Sequence, residues 1–253
     1  MLKIEHLSLS FEGLKAVNDV SVSVEKGKIT ALIGPNGAGK TTLFNLIAGV
    51  YKPDSGKIYL DGEDITGLRA YKVCEKGIAR TFQVIKLFGG MTVLDNVKVG
   101  MHSRLKSGFW SGVFRTGRAN KEEKSAQTRA LELLELMGLS AYAGLPASSL
   151  AYGQQRRLEI ARALAAEPKL LLLDEPAAGM NSTEKMELND RIRRIIEMGT
   201  TVLIVEHDMA MVMNLADKIL VLNSGKLLAE GSAEEISNNE DVIEAYLGRG
   251  DDE

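Results

Sequence analysis

Cysteine is almost absent from this chain: Cys74 is the single one among 253 residues. An internal disulfide is therefore impossible, and a disulfide-stapled secreted scaffold is excluded. Long apolar runs are missing too. The longest, such as Leu170 to Leu173 and Val202 to Val205, fall far short of the roughly 20 residues that cross a bilayer, so any membrane role is expected to run through partners. Nor does charge of one sign dominate. A formal net charge of −3 and a pI of about 5.8 remove the global pull toward nucleic acid that a strongly basic protein has. The opening Met1-Leu2-Lys3-Ile4 is strand-like and has no signal-peptide core, which makes the cytoplasm the expected compartment. The length allows one large domain or two modest ones.

What is present is glycine in a particular place. Gly34-Pro35-Asn36-Gly37-Ala38-Gly39-Lys40-Thr41-Thr42 follows the apolar run Ile29 to Ile33 and leads into Leu43, Leu46, Ile47 and Val50, whose spacing predicts one face of a helix. Glycines at 34, 37 and 39 let the backbone curl with positive φ and turn N–H groups inward, so that an anion can sit in a nest capped by the helix dipole. Lys40 adds a positive charge beside the β- and γ-phosphates, and the Thr41 hydroxyl offers Mg²⁺ a hard oxygen. An ordinary glycine turn is the plain alternative. The strand–loop–helix setting favours a nucleoside triphosphate site.

A second signal is Leu170-Leu171-Leu172-Leu173-Asp174-Glu175, an apolar run suited to a strand covered on both faces, with two carboxylates at its end. Asp174 can hold the Mg²⁺ shell, and Glu175 can orient and deprotonate a water. Acids after a strand are common on surfaces, and the pair gains its meaning from the glycine loop. A further buried strand, Thr201 to Val205, sets His207 at its carboxyl end, where the γ-phosphate is expected.

The remaining stretches are read more plainly. Residues 2 to 11, 18 to 25 and the segment with Ile58 and Leu60 predict a small antiparallel sheet. Phe11, at a strand end, is equally suited to stacking on a purine or to edge packing. Gln83 ends a strand-like run, where its amide can ligate Mg²⁺ or orient a water, although most such glutamines face solvent. Between Asn96 and Lys121 no acid occurs, while Lys98, Arg104, Lys106, Arg115, Arg118 and Lys121 interleave with Phe109, Trp110 and Phe114. A solvated excursion is the first reading, and contact with a membrane protein's loops or anionic head groups the sharper one. A helix is expected from Glu122 to Gly138, and another after Leu150-Ala151-Tyr152-Gly153-Gln154-Gln155, whose small-residue start makes a second anion-binding end. Asn181 with Glu184, and Ser232 with Glu235, read as capping boxes, the latter opening a closing helix that reaches about Leu247 before the acidic tail Asp251-Asp252-Glu253. Lys218 to Leu222 and Lys226 to Ala229 read as a hairpin.

The order glycine loop, Gln83, Leu-Ala-Tyr-Gly-Gln-Gln at 150 to 155, Leu-Leu-Leu-Leu-Asp-Glu-Pro at 170 to 176 and Glu-His-Asp at 206 to 208 resembles the ATP-binding subunits of ABC transporters. Arg80-Thr81-Phe82-Gln83, the insertion near 101 to 120, Asp174 to Gly179 and the ending Ala245-Tyr246-Leu247-Gly248 look like the branched-chain amino acid importer ATPases. The resemblance implies an α/β fold, a P-loop (RecA-like) ATPase core with a small antiparallel β subdomain and an inserted α-helical subdomain. It implies one ABC ATPase domain over 1–253, with the core in 1–85 and 155–230, the helical part in 86–154 and a C-terminal helix and tail in 231–253. The implied cofactors are ATP and Mg²⁺.

The same resemblance assigns roles. Phe11 stacks on adenine; Asn36, Gly37, Ala38, Gly39, Lys40, Thr41 and Thr42 hold the phosphates; Thr41, Gln83 and Asp174 attend the metal; Glu175 is the general base and His207 holds the γ-phosphate. Ala151, Gly153 and Gln154 cap the nucleotide of a second ATPase subunit facing head to tail, identical or not. Two transmembrane permease subunits and, indirectly, a solute-binding protein complete the implied assembly at the cytoplasmic face of the membrane, and no nucleic acid is expected.

Two departures stand out. The family's Ser-Gly-Gly is Ala151-Tyr152-Gly153, which removes a hydroxyl that would donate to the γ-phosphate, a bond worth roughly 1.5–3 kcal/mol. Asn181 replaces the usual aspartate. Alternatives remain open. A GTPase should carry Asn-Lys-x-Asp, and the nearest string, Asn120-Lys121-Glu122-Glu123, ends in the wrong acid. A chromosome-maintenance ATPase would need a heptad insertion or a broadly basic face, and a nucleotide sensor without turnover is disfavoured by Glu175. Cargo other than branched-chain amino acids, such as urea, amides or lipopolysaccharide, also fits the resemblance.

Overall fold

Period-two alternation opens the chain and produces the first sheet. Strand β1 (Leu2–Phe11) pairs antiparallel with β2 (Leu14–Val24) on one side and β4 (Ser55–Leu60) on the other, and β4 carries the short β5 (Glu63–Asp64). The buried positions of β1 switch parity, from Leu2 and Ile4 to Leu7 and Leu9, because the register with β2 shifts between Ile4 and Leu7. His6 and Asp19 take φ of 50° and 58° there, a paired irregularity that turns each strand over while keeping its apolar residues inward. A computed structural model describes residues 1–101 and 117–247. The basic, aromatic stretch and the acidic tail lie largely outside the described residues; of the former, Lys98 pairs with Glu123.

The second sheet has six strands in the order β10-β9-β3-β8-β7-β6. Its centre consists of β3 (Ile29–Ile33), β7 (Leu170–Asp174) and β8 (Thr201–Val205), buried at every position, as continuous apolar runs in a parallel sheet require. β6 (Ile78–Arg80) and β9 (Lys218–Asn223) run parallel to them, and β10 (Lys226–Gly231) returns antiparallel at the edge. Because the strands are parallel, the residues following β3, β6, β7 and β8 all emerge at one edge of the sheet, where ligands of open α/β sheets bind.

One core lies between the two sheets and includes Phe44, Ile47, Leu170 and Leu172; a second lies on the opposite face of the larger sheet, with Leu171, Leu173, Leu158 and Ile192. Helix α1 (Lys40–Ile47) places Leu43, Leu46 and Ile47 in the first core. Val50, expected on the same face, is instead 51% exposed, since Gly49 in the left-handed region (φ 70°) turns the chain away after one pitch too few. Helices α2 (Ala70–Lys76) and α3 (Val93–Gly100) follow, the latter capped by the Thr92 hydroxyl on Asp95 N–H at 3.0 Å. Helix α4 (Gly117–Leu136) begins earlier than Glu122 and is followed by Gly138 at φ 65°. Helices α5 (Tyr152–Leu164), α6 (Ser182–Glu197) and α7 (Met209–Leu215) complete the second core.

The box at the start of α6 is complete: Asn181 Oδ1 accepts from Glu184 N–H at 3.0 Å, and Glu184 Oε2 accepts from Asn181 N–H at 2.9 Å. Asn181→Ala is expected to destabilise the chain by about 1 kcal/mol, measurable by urea unfolding. The closing helix departs from expectation. Ser232 and Glu235 do cap α8 (Ala233–Ser237), but the chain breaks at Asn238 and restarts as α9 (Glu240–Leu247). The physical cause is Asn239, whose side chain accepts from Val242 N–H at 3.1 Å and so starts a new helix. Among the described residues no helix is long and apolar enough to cross a membrane.

Candidate nucleotide site

At the carboxyl edge of the larger sheet, residues Asn36 to Thr42 line a cleft of about 470 Å³ together with Gln83, Glu175 and His207. Leu14, Lys15, Ala16 and Ser224, which sequence reasoning did not single out, complete its wall. Backbone shape is what makes the loop possible. A Cβ on Gly34 (φ 149°) would lie 2.1 Å from Leu222 O, and one on Gly39 (φ 99°) 2.3 Å from Ala16 O, so neither position accepts a side chain. Gly37 has positive φ as well, with open space where ligand can approach.

Lys40 begins α1 and is nearly buried, its ammonium donating to Gly34 O at 2.7 Å and Pro35 O at 2.9 Å. Burial pushes its pKa down and the charge of Glu175 pulls the other way. The loop therefore folds around its own cation, which is held ready for anionic oxygens.

Glu175 has φ 47°, outside the range a residue continuing β7 would adopt, and its N–H donates to Val205 O at 2.9 Å. That turn aims the carboxylate into the cleft, where Oε1 meets His207 Nε2 at 2.8 Å and Gln83 Nε2 at 3.4 Å. Side chains that follow β6 and β8 thus meet on one carboxylate oxygen of the residue that follows β7. Beneath them, buried Glu206 accepts from Ala177 N–H at 2.8 Å and from His207 N–H at 3.2 Å, bracing the loops after β7 and β8 together. Burial raises the Glu206 pKa against these donors. The sequence signal for it was only its place beside His207 after a buried strand.

Asp174 is buried at the end of β7, its pKa raised by burial and lowered by Arg80. Arg80 Nη2 stands 3.4 Å from Asp174 Oδ2 and Nη1 donates to Asn45 Oδ1 at 2.7 Å, joining β6, β7 and α1; burial pushes its own pKa down. Sequence reasoning named this arginine only within the stretch Arg80-Thr81-Phe82-Gln83 and gave it no role at the site. No cluster of three or more histidine, cysteine or acidic side chains suited to a metal occurs among the described residues. The hard oxygens of Asp174 and Thr41 instead match Mg²⁺, which takes one or two protein ligands and completes its shell with phosphate and water. Burial disfavours the ionised form of Asp174, Arg80 at 3.4 Å offsets this only in part, and a cation at its oxygens would stabilise it further.

Other expected site residues lie apart from this cleft. Ala151, Gly153 and Gln154 form the start of α5, outside the cleft lining; Gln154 Oε1 accepts from Ala151 N–H at 2.9 Å, and alanine returns no bond. Gly153 is buried, and a Cβ there would come 2.9 Å from Glu184 Oε1. Phe11 is 43% exposed, with its ring edge-on to Tyr51 at 5.4 Å between centroids, and is not among the lining residues.

A glycine nest at the helix start after β3, faced by acids at the end of β7 two strands away across β8, is the arrangement of a P-loop nucleotide-binding protein. Comparison with known proteins narrows this class. The ABC transporter family matches residues 17–178, and the chain belongs to it as an ABC ATPase. Residues 226–252 match the branched-chain amino acid ATP-binding cassette transporter family. The chain is 47% identical to the high-affinity branched-chain amino acid transport ATP-binding protein BraF of Pseudomonas aeruginosa, over 98% of each chain. Among solved structures it is similar to a nucleotide-free ATP-binding cassette from an ABC transporter (TM-score 0.85, 35% identity, 98% and 99% of the two chains). It is also similar to a dimeric post-hydrolysis state of an ATP-binding cassette bound to ADP and Pi (TM-score 0.78, 26% identity, 92% and 99%).

Proposed function

We propose that this chain is the ATP-hydrolysing subunit of an importer for branched-chain or related amino acids. The observation that carries the cargo class is the near full-length likeness to BraF, supported by the separate match over 226–252. The partners are a second cassette, identical or not, arranged head to tail, and two transmembrane permease subunits on whose cytoplasmic side the pair sits; a solute-binding protein delivers cargo to them. Residues 86–154 serve as the helical subdomain of one ATPase domain, with 231–253 as its C-terminal appendage.

In this reading each group of the cleft has a task. The N–H groups of Asn36 to Gly39 and the start of α1 hold phosphate, and Lys40 exchanges its carbonyl partners for β- and γ-oxygens. Thr41 and Asp174, with Gln83, attend Mg²⁺, which when bound neutralises charge growing between the β- and γ-phosphates. Glu175 Oε1 takes the proton of the attacking water. His207, already 2.8 Å from that oxygen, orients the carboxylate and reaches the γ-phosphate. Phe11 stacks on adenine, and Ala151, Gly153 and Gln154 present the start of α5 to the nucleotide of the partner subunit. ATP draws the two subunits together and hydrolysis releases them, which moves the permease helices.

The test is purification of the intact assembly from its native membrane, followed by reconstitution in vesicles with ATP inside. Uptake of radiolabelled leucine, isoleucine or valine supplied with the co-purified solute-binding component is the expected result. ATP turnover stimulated only by a chemically unrelated solute would overturn the cargo assignment and leave the ATPase in place.

A further inference from the structure

Gln83 contacts Glu175 through its side chain, but its backbone is held by a different element. Tyr152, Arg156 and Glu159 are spaced four and three residues apart and so share one face of α5, the face turned to residues 82–86. Arg156 is 4% exposed; Nη1 donates to Phe82 O at 2.7 Å and Nη2 to Gln83 O. Nη2 also donates to the Tyr152 hydroxyl at 2.9 Å, and the guanidinium lies over the tyrosine ring, 5.4 Å from its centroid. Glu159 accepts from Lys86 N–H at 2.8 Å and faces Arg156 Nη1 at 3.4 Å, while Arg162 donates to Lys86 O. One helix thus grips the loop at four backbone atoms, two of them through a single planar fork that lysine cannot imitate.

Tyr152 makes a further contact. Its ring lies against Gly179 in the loop after β7, where a Cβ would come 3.0 Å from the ring Cε1. The residue that interrupts the Ser-Gly-Gly pattern therefore touches the loop after Glu175 with its ring and the loop of Gln83 through Arg156.

We propose that Tyr152 and Arg156 are positioning residues for Gln83. They fix its carbonyl to the start of α5, so that any displacement of that helix start moves the Gln83 amide relative to the Glu175 carboxylate. The 3.4 Å separation of Gln83 Nε2 from Glu175 Oε1 is at the long end of a hydrogen bond, where a shift of about half an ångström either makes or breaks it. This rests on the reading of Glu175 as the base.

The experiment uses the full-length chain and two variants. Tyr152→Phe keeps the ring on Gly179 and removes the hydroxyl; Arg156→Lys keeps the charge and removes the fork. ATP turnover is expected to fall about fivefold in the first and about 30-fold in the second, with the dissociation constant of a fluorescent ATP analogue changed less than about twofold. In a Gln83→Ala background both losses should vanish, since the pair acts through that amide. A purely structural arginine would give the same loss in both backgrounds, and that result overturns the proposal. Amide exchange supplies an independent readout: residues 82–86 should exchange faster in both variants while β7 is unchanged, and unaltered exchange at 82–86 also overturns it. An intact assembly that carries the wild-type chain and is inactive toward ATP refutes the reading of Glu175 instead, and the exchange experiment still decides the positioning.

Discussion

Glu175→Gln is expected to lower ATP turnover by about 10²- to 10⁴-fold while leaving ATP binding intact. The substitution is nearly isosteric, and its amide oxygen can keep the contact that Oε1 makes to Gln83 Nε2 and, in the tautomer protonated on Nε2, the one to His207. Geometry around the cleft is therefore retained while the group that accepts the water's proton is lost. Removing a negative charge from the wall facing the triphosphate also reduces repulsion, so affinity should hold or rise. With hydrolysis blocked and ATP bound, the closed pair of subunits is no longer released. Size-exclusion chromatography with ATP and Mg²⁺ should show a dimer in the variant that the wild type populates only transiently. Unchanged phosphate release would remove Glu175 from the base role and transfer attention to His207.

Much of this site was legible in the sequence because its signals are local. The glycine loop encodes its own curl, and Gly34 and Gly39 prove to stand where any Cβ would strike a carbonyl. The runs Leu170 to Leu173 and Val202 to Val205 are apolar throughout, as strands covered on both faces are, and both are interior strands of the larger sheet. Asn181 with Glu184 announced a helix start four residues long in sequence and complete in space.

What escaped was carried by pairings between distant segments. Arg80 meets Asn45 and Asp174 across 35 and 94 residues, and Arg156 meets Phe82 across 74, separations that leave no periodic trace. Tyr152 looked like a defect in a small-residue turn until its partners were in view. The misplacement of Val50 and of the closing helix had the opposite origin: local chemistry, at Gly49 and Asn239, stopped a pattern that periodicity alone would have continued. The parity switch in β1 belongs to the same class, since two paired positive-φ residues have no signature in an alternating string.

Lys40→Ala separates the loop's shape from its charge. Wild-type chain at an ATP concentration about 100 times its dissociation constant should gain about 2.7 kcal/mol of stability, visible as a rise in Tm. In the variant that rise should disappear, with affinity weakened at least about 100-fold, because two charge-assisted bonds to phosphate oxygens are lost from a poorly solvated site. The effect on the unliganded chain should be far smaller. Burial already disfavours the Lys40 cation, and what holds it is donation to Gly34 O and Pro35 O. Its removal leaves those carbonyls without a donor but also relieves the desolvated charge, two terms of opposite sign. A fall in unliganded Tm as large as the lost ATP-dependent shift would mean that Lys40 mainly braces the loop. An unliganded Tm close to wild type, with the nucleotide response gone, is the outcome expected of a lysine whose buried charge is kept for phosphate.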